Sequence, residues 1–430
     1  MSSERIVATY LIETPHPVEH AAEVVAGEQS SGTFVELPGE TDTLQQRHGA
    51  RIERIEELET VNAPSLPGVR YAPAPGEKVR YRRAEVEISI PLENVGSSLP
   101  ALLATVAGNI YEVAEVSALR LLDLELPRAF GEAYPGPQFG IEGTRELSGV
   151  PADRPVIGTI VKPSVGLTPE QTAELARDLA EVGIDFIKDD ELIANPSYSP
   201  LERRVEEVMR VVNEVAERSG RKLMYAFNIT DDLEAMLRHH DTVLRAGGTC
   251  VMVGINNVGL AAFSYLRERC QLPIHAHRNG WGALARYPYL GVEFRAYQKI
   301  WRLAGADQLH VNGIQNKFWE SDDSVVKSIE SCLEPMFDHR SIMPVISSGQ
   351  WGGQAPETYR RTKSVDLMYL AGGGIVAHPG GPAAGVTAIK QAWDAARNGI
   401  PLEEHAREHP ELRAAMEKFG SLTPSRQKRI

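Results

Sequence analysis

Gly183-Ile184-Asp185-Phe186-Ile187-Lys188-Asp189-Asp190-Glu191 is the stretch on which the reading of this chain turns, because an apolar run ends in one amine and three carboxylates. The run has the make-up of a buried strand, so the charges fall at its C-terminal end. Side chains alternate along a strand, which puts Lys188 and Asp190 on one side, and Glu191, past the strand end, can turn to join them. Two carboxylates are the oxygen donors that a hard cation such as magnesium takes. An ammonium beside them would repel the metal, whereas a neutral Lys188 amine that captured carbon dioxide as a carbamate would supply a third anionic oxygen. Taken alone, the tetrad reads as a solvated charge run on a surface loop; the rest of the chain overturns that reading.

Outward from this stretch, short β-rich runs alternate with longer amphipathic ones. The runs are 156–162, 185–191, 222–230, 250–255, 273–277, 307–312, 343–348 and 366–373, about eight strands over the length of a (β/α)8 barrel. Thr168-Pro169-Glu170-Gln171 reads as an N-cap with proline at the first helical position, Gly183 closes that helix, and Ser199-Pro200-Leu201-Glu202 repeats the device. Ahead of the barrel, 6–13, 33–37 and 80–91 read as strands and 94–109 as helical. The expected fold class is α/β: an N-terminal α+β (ferredoxin-like) domain over 1–135, a (β/α)8 TIM barrel over 136–400 and a C-terminal helical tail over 401–430.

Polar residues recur at the C-terminal ends of these runs: Lys162, the Lys188 cluster, Asn228, Asn256, His275 with His277 and Arg278, His310, Ser347 with Ser348, and Gly372 to Gly374. Singly, each has a structural explanation, since a histidine on an apolar strand is commonly a hydrogen-bonded core residue. Their recurrence at one end of successive strands is the pattern of a barrel active site. Glycines after the last strand let backbone amides approach an anion, which points to a phosphate site at Gly372 and Gly373. Arg278, His310 and Ser347 form a second candidate anion pocket across the mouth, with arginine offering a bidentate fork.

Composition narrows the partners. A 430-residue chain, 42% hydrophobic and 24% charged, can bury a large core, and its net charge of -13 disfavours nucleic acid and anionic membranes. Cys250, Cys270 and Cys332 are too scattered for a disulfide framework or a zinc site. No apolar run is long enough to span a bilayer and the first residues lack a signal-peptide core, so a cytoplasmic protein is expected.

Together these residues resemble the large subunit of ribulose-bisphosphate carboxylase and its RuBisCO-like relatives, from about Ile6 to beyond Gly385. The resemblance implies that Lys188 carries a carbamate (bound CO2) and, with Asp190 and Glu191, binds magnesium (Mg2+). It places Lys162 of Lys162-Pro163-Ser164-Val165-Gly166-Leu167 and His277 of His275-Ala276-His277-Arg278 in the catalytic set. Lys317 falls at the spacing of the family's mobile-loop lysine. Arg278, His310, Ser347, Gly349, Gly372 and Gly373 match substrate-binding positions. Glu28, Thr33 and Asn109 match residues that the N-terminal domain lends to a partner's barrel, so a homodimer with a shared active site is expected.

Departures separate the chain from the carboxylases. Ser164 stands where they have a second lysine, the loop 311–316 lacks their glycine-rich form, and Phe34 replaces a tryptophan. Carbon dioxide fixation is therefore not expected, while enolate chemistry on a phosphorylated keto sugar or oxo sugar acid is. The leading expectation is a decarboxylase of the 3-oxo-isoapionate-4-phosphate type, with relatives that include transcarboxylases. The alternatives are an enolase or isomerase of methylthioribulose-phosphate metabolism, as in methionine salvage, and a non-catalytic phosphate-ligand binder.

Overall fold

The computed structural model describes residues 4–31 and 38–422. The chain divides into two compact units, Met1–Pro135 with Gly280–Leu303, and Gly136–Asn279 with Ala304–Ile430.

The first unit is built on a sheet of strands β1 (Arg5–Thr14), β2 (Arg51–Val61), β3 (Tyr81–Pro91) and β4 (Ala118–Glu125), joined by a short later strand described below. β1 lies between β3 and β4, antiparallel to both. Its register opposes Ile6 to Ile90, Ala8 to Ile88, Tyr10 to Val86 and Ile12 to Ala84. All eight are buried, so one face of the two strands is apolar, while the intervening residues other than buried Ser89 are partly exposed. Helix Val18–Glu28 buries Val18, Ala21, Ala22 and Val25. The Tyr10 hydroxyl donates to the Val106 carbonyl of helix Leu99–Ala107 at 2.8 Å. β2 is an edge strand of arginine and glutamate, which discourages pairing with another chain. The stretch expected to be helical over 94–109 breaks into Leu92–Val95, Leu99–Ala107 and a 3-10 turn Asn109–Glu112. The expected strand at 33–37, with Thr33 and Phe34, lies outside the described residues.

Buried Glu13 cross-links this unit. It accepts from the Ser65 amide and hydroxyl at 2.6 Å each, from Ser117 Oγ at 2.7 Å and from Arg83 Nε at 2.7 Å. Burial pushes its pKa up, but these donors outweigh it and hold the carboxyl below its ordinary value.

The second unit is a closed barrel of eight parallel strands: β5 (Val156–Ile160), β6 (Phe186–Lys188), β7 (Met224–Asn228), β8 (Cys250–Gly254), β9 (Ile274–His277), β11 (Gln308–His310), β12 (Met343–Ile346) and β13 (Met368–Leu370). Each falls inside one of the eight runs read from the sequence. The strand between β9 and β11 in chain order, β10 (Leu290–Val292), instead pairs with β4 in the first unit's sheet. There, Arg120 Nη1 donates to the carbonyls of Ala285, Tyr287 and Leu290 at 3.1, 2.7 and 3.2 Å.

The barrel core includes Val156, Phe186, Met224, Ala226, Met252, Val345, Met368 and Leu370. A Cβ on Gly158 would stand 2.6 Å from Leu370 Cδ2 and 2.8 Å from the Phe186 carbonyl oxygen, so only glycine fits between these neighbours. At the N-terminal ends of the strands, buried acids tie the chain together. Asp185 accepts from Arg154, Arg221 and the Ile157 amide, and Asp307 from Arg267 and the amides of Phe139, Gly140 and Ile274.

Thr168 caps helix Pro169–Glu181, as the sequence suggests, and Gln171 completes a capping box with it. The second helix start differs. Pro200 is the N-cap of Leu201–Ser219, the Leu201 amide donates to Asn195 Oδ1, and Ser199 is buried with its carbonyl accepting from Arg204 at 2.6 Å. Near the C-terminus, helix Pro410–Phe419 buries Leu412, Ala415 and Phe419, with Phe419 against Trp351, so this charge-rich stretch is solvated on one face only.

Candidate active site

β6 carries opposed duties on its two faces. Asp189 turns into the wall, where Oδ1 accepts from the Tyr225 hydroxyl at 2.7 Å and Oδ2 from the Asn228 amide at 2.9 Å and from Arg204 at 3.1 Å. Lys188 and Asp190 turn the other way. The Lys188 side chain is 1% exposed, and its Nζ donates to the Asp189 carbonyl at 3.0 Å and Glu191 Oε2 at 3.3 Å, with Met252 Sδ at 3.5 Å. Burial lowers its pKa, against the opposing pull of Glu191 and Asp190. Asp190 Oδ2 accepts from Lys162 Nζ at 2.5 Å, and the same ammonium donates to Ser164 Oγ at 2.7 Å. The Asn228 amide group donates to the carbonyls of Asp190 and Glu191 at 3.4 and 3.3 Å, holding the chain where it leaves the strand.

Glu191 Oε2 also lies 3.5 Å from His277 Nε2. The Glu191 carboxyl is held below its ordinary pKa: burial raises it, but Lys188, a backbone hydrogen bond and Lys162 outweigh that. His277 is pushed down to about 3, first by burial and then by the charge of Lys188. Burial likewise pushes His275 and His310 well below the ordinary histidine value, so it favours the neutral form of all three imidazoles.

Neutrality fixes the direction of a hydrogen-bonded row. His275 Nδ1 faces Gln308 Oε1 at 2.8 Å and therefore carries the proton, so its Nε2 accepts from His310 Nε2 at 2.8 Å. His310 Nδ1 then accepts from Ser347 Oγ at 3.1 Å. A second row runs alongside it. Ser348 Oγ donates to Asn312 Oδ1 at 2.7 Å, Asn312 Nδ2 donates to Glu320 Oε2 at 2.5 Å, and Arg278 Nη2 donates to the same oxygen at 3.0 Å. Ser324 Oγ completes the Glu320 carboxylate at 2.9 Å. Arg278 and Glu320 are both buried, and Asn312 and Ser348 have positive φ of 67° and 76°.

Of the residues singled out from sequence, Lys162 is thus brought against Asp190, and Lys188 and His277 against Glu191, with the His310 ring tilted at 59° and centred 4.4 Å from that of His277. Gly372 adjoins them: a Cβ there would sit 3.4 Å from Lys162 Cε, while Gly373 leaves open space. Lys317 is exposed on the loop after β11, its amide bonded to the Ser348 carbonyl at 3.0 Å and its stem beside Gly349. Glu28 and Asn109 are exposed on the first unit, and Gln29 bridges their neighbourhoods: in the amide orientation that satisfies both ends it donates to the Thr105 carbonyl and accepts from the Ile110 amide. Arg204, Tyr225 and Glu320 escaped the sequence reading, and Asp189 entered it only as one carboxylate of the run, with no task of its own. Only the strand period could have separated Asp189 from its neighbours, and nothing in the spacing marks Glu320.

The donor set suits magnesium in one specific way. Among the described residues no cluster of three or more His, Cys, Asp or Glu side chains is placed to hold a metal. The mouth offers two carboxylates and a buried amine of lowered pKa, which is a hard-cation site once that amine carries a carbamate.

Comparison with known proteins assigns the family. Residues 140–419 match the ribulose bisphosphate carboxylase large chain catalytic domain, and residues 1–130 its N-terminal domain. The chain belongs to the RuBisCO large-chain family, on its RuBisCO-like branch rather than among the carboxylases. It is 50% identical to a 3-oxo-isoapionate-4-phosphate decarboxylase of Rhizobium etli over 96% of this chain and 99% of that one. It is 53% identical, at the same coverage of both, to a 3-oxo-isoapionate-4-phosphate transcarboxylase/hydrolase of Xanthobacter autotrophicus. A crystal structure of a rubisco-like protein from Burkholderia fungorum superposes with a TM-score of 0.89 at 47% identity, over 96% of this chain and 99% of that one.

Proposed function

We propose that this protein is a magnesium-dependent decarboxylase of a phosphorylated oxo sugar acid, 3-oxo-isoapionate 4-phosphate or a near analogue. The observation that carries the reading is the buried Lys188 amine, in contact with Glu191 beside Asp190, in a chain half identical to a decarboxylase of that substrate. Carbamylated Lys188, Asp190 and Glu191 would hold the metal, which when bound polarises a ketone and stabilises the enolate left as carbon dioxide departs.

The chain's own groups then have definite tasks. Lys162, anchored between Asp190 and Ser164, is the acid placed to return a proton to the enolate carbon, and neutral His277 is the second group within reach of the site. Gly349, Gly372, Gly373 and Lys317 take the phosphate, joined by Thr33, while Arg278, His310 and Ser347 line the other end. Thr33, Glu28 and Asn109 come from a partner's first domain, so the working unit is a cytoplasmic homodimer. Among the described residues no helix is long and apolar enough to cross a membrane.

The test is mass spectrometry of phosphorylated oxo sugar acids and keto sugars incubated with the protein, magnesium and bicarbonate in deuterium oxide. Loss of carbon dioxide with deuterium in the product is expected. Deuterium in a product that keeps all its carbon would replace the decarboxylase reading with an enolase or isomerase. The 53% identical relative favours a second reading as a transcarboxylase/hydrolase, which the same experiment separates by the fate of the carboxyl carbon. Carbon-13 trapped on Lys188 in the presence of magnesium is the expected companion result, and its absence would favour a non-catalytic binder.

A further inference from the structure

We infer that Glu320, with Ser347 and Ser348, makes one wall of the barrel mouth selective for an uncharged, hydroxylated end of the substrate, so that the ligand carries a single phosphate. The inference rests on the sugar-phosphate reading above and narrows it. Arginine beside histidine and serine, seen in sequence, suggests an anion pocket, but the proton count in the structure points elsewhere. Ser347 directs its only hydroxyl proton to His310 at 3.1 Å and Ser348 its own to Asn312 at 2.7 Å, in preference to the longer 3.4 Å approach between the two hydroxyl oxygens. Both oxygens therefore offer lone pairs, which accept from a sugar hydroxyl and have nothing to give a phosphate oxygen.

Charge acts in the same direction. The Arg278 guanidinium is bonded to a carboxylate of the protein itself, and that carboxylate is fixed by two further donors, Asn312 Nδ2 and Ser324 Oγ. A dianionic phosphate brought to Arg278 would meet Glu320 as a buried like charge, a juxtaposition that discriminates strongly between ligands. Asn312 and Ser348 are held at left-handed backbone angles unusual for non-glycine residues, a cost borne where the second row is assembled.

The experiment is calorimetric binding of ribitol 5-phosphate and ribitol 1,5-bisphosphate, neither of which can be decarboxylated, to the full chain with magnesium and bicarbonate. The wild-type protein is expected to bind the monophosphate at least as tightly as the bisphosphate. Glu320→Gln is expected to tighten the bisphosphate by about tenfold or more relative to the monophosphate, and Glu320→Asp, which keeps the charge, to preserve the wild-type order. Wild-type protein that binds the bisphosphate tenfold tighter, or a ratio unmoved in Glu320→Gln, would overturn the role of Glu320 alone. Binding of neither ligand would overturn the sugar-phosphate reading and this inference with it. Should Glu320→Gln not fold, the wild-type ratio decides.

Discussion

Asp189→Asn is the substitution that most directly tests how β6 is built. Asp189 and Arg204 are both buried, in contact at 3.1 Å, and the carboxylate is also bonded by Tyr225 and the Asn228 amide. Asparagine keeps the shape and one acceptor but leaves the Arg204 charge without a counter-ion, although Arg204 retains the carbonyls of Ser199 and Ala194. Removing one member of a buried pair costs about 3–5 kcal/mol, and the retained acceptor argues for the lower figure. For a unit of this size about 3 kcal/mol corresponds to roughly 6–12 °C in Tm. Thermal unfolding followed by circular dichroism is the assay, with Arg204→Met and the double variant completing a cycle. The double variant should lose at least about 1 kcal/mol less than the sum of the singles. A single variant within 2 °C of wild type, on the order of the smallest shift expected from 1 kcal/mol, or strictly additive losses, would refute the claim that this pair anchors the strand.

Three further outcomes are expected. Ser164→Ala frees the Lys162 ammonium from one of its two anchors and should lower kcat about tenfold with little change in KM, read by steady-state kinetics. Glu13→Gln should cost about 2 kcal/mol in urea unfolding at pH 7. Because the folded-state pKa of Glu13 is depressed, that contribution is present above the unfolded carboxylate value and is lost as pH falls through the folded one, so variant and wild type should converge in acid. Gly158→Ala forces a methyl against the Phe186 carbonyl and should destabilise the barrel by about 1–3 kcal/mol, seen as a lower denaturation midpoint with an unchanged slope.

The barrel was legible because its strands are buried on both sides and so appear as apolar runs punctuated by charge, as at Phe186–Lys188 and Met224–Asn228. Strand period put Lys188 and Asp190 on one side, and Glu191 joined them because it lies past the strand end and can turn back. β2 was not legible: an exposed edge strand of arginine and glutamate shows no apolar alternation. β10 is three residues long and is defined only by its pairing with β4. Ser199 resembled a helix cap because the local pattern is the same, but Pro200 takes the cap position and Ser199 instead accepts from Arg204 in the first turn of the helix. Glu320 could not be found from spacing, because its role depends on Arg278 and Asn312 meeting it from other parts of the chain.

The membership of Gly280–Leu303 in the first unit bears on the order in which the protein can be made. Translation delivers β1 to β4 early, yet the carbonyls that receive Arg120 emerge only after five barrel strands have left the ribosome. Domains ordinarily complete themselves from the N-terminus as they are synthesised. Here the first sheet waits for its closing strand, and a gene fragment cut at residue 135 would encode a unit without its own last piece.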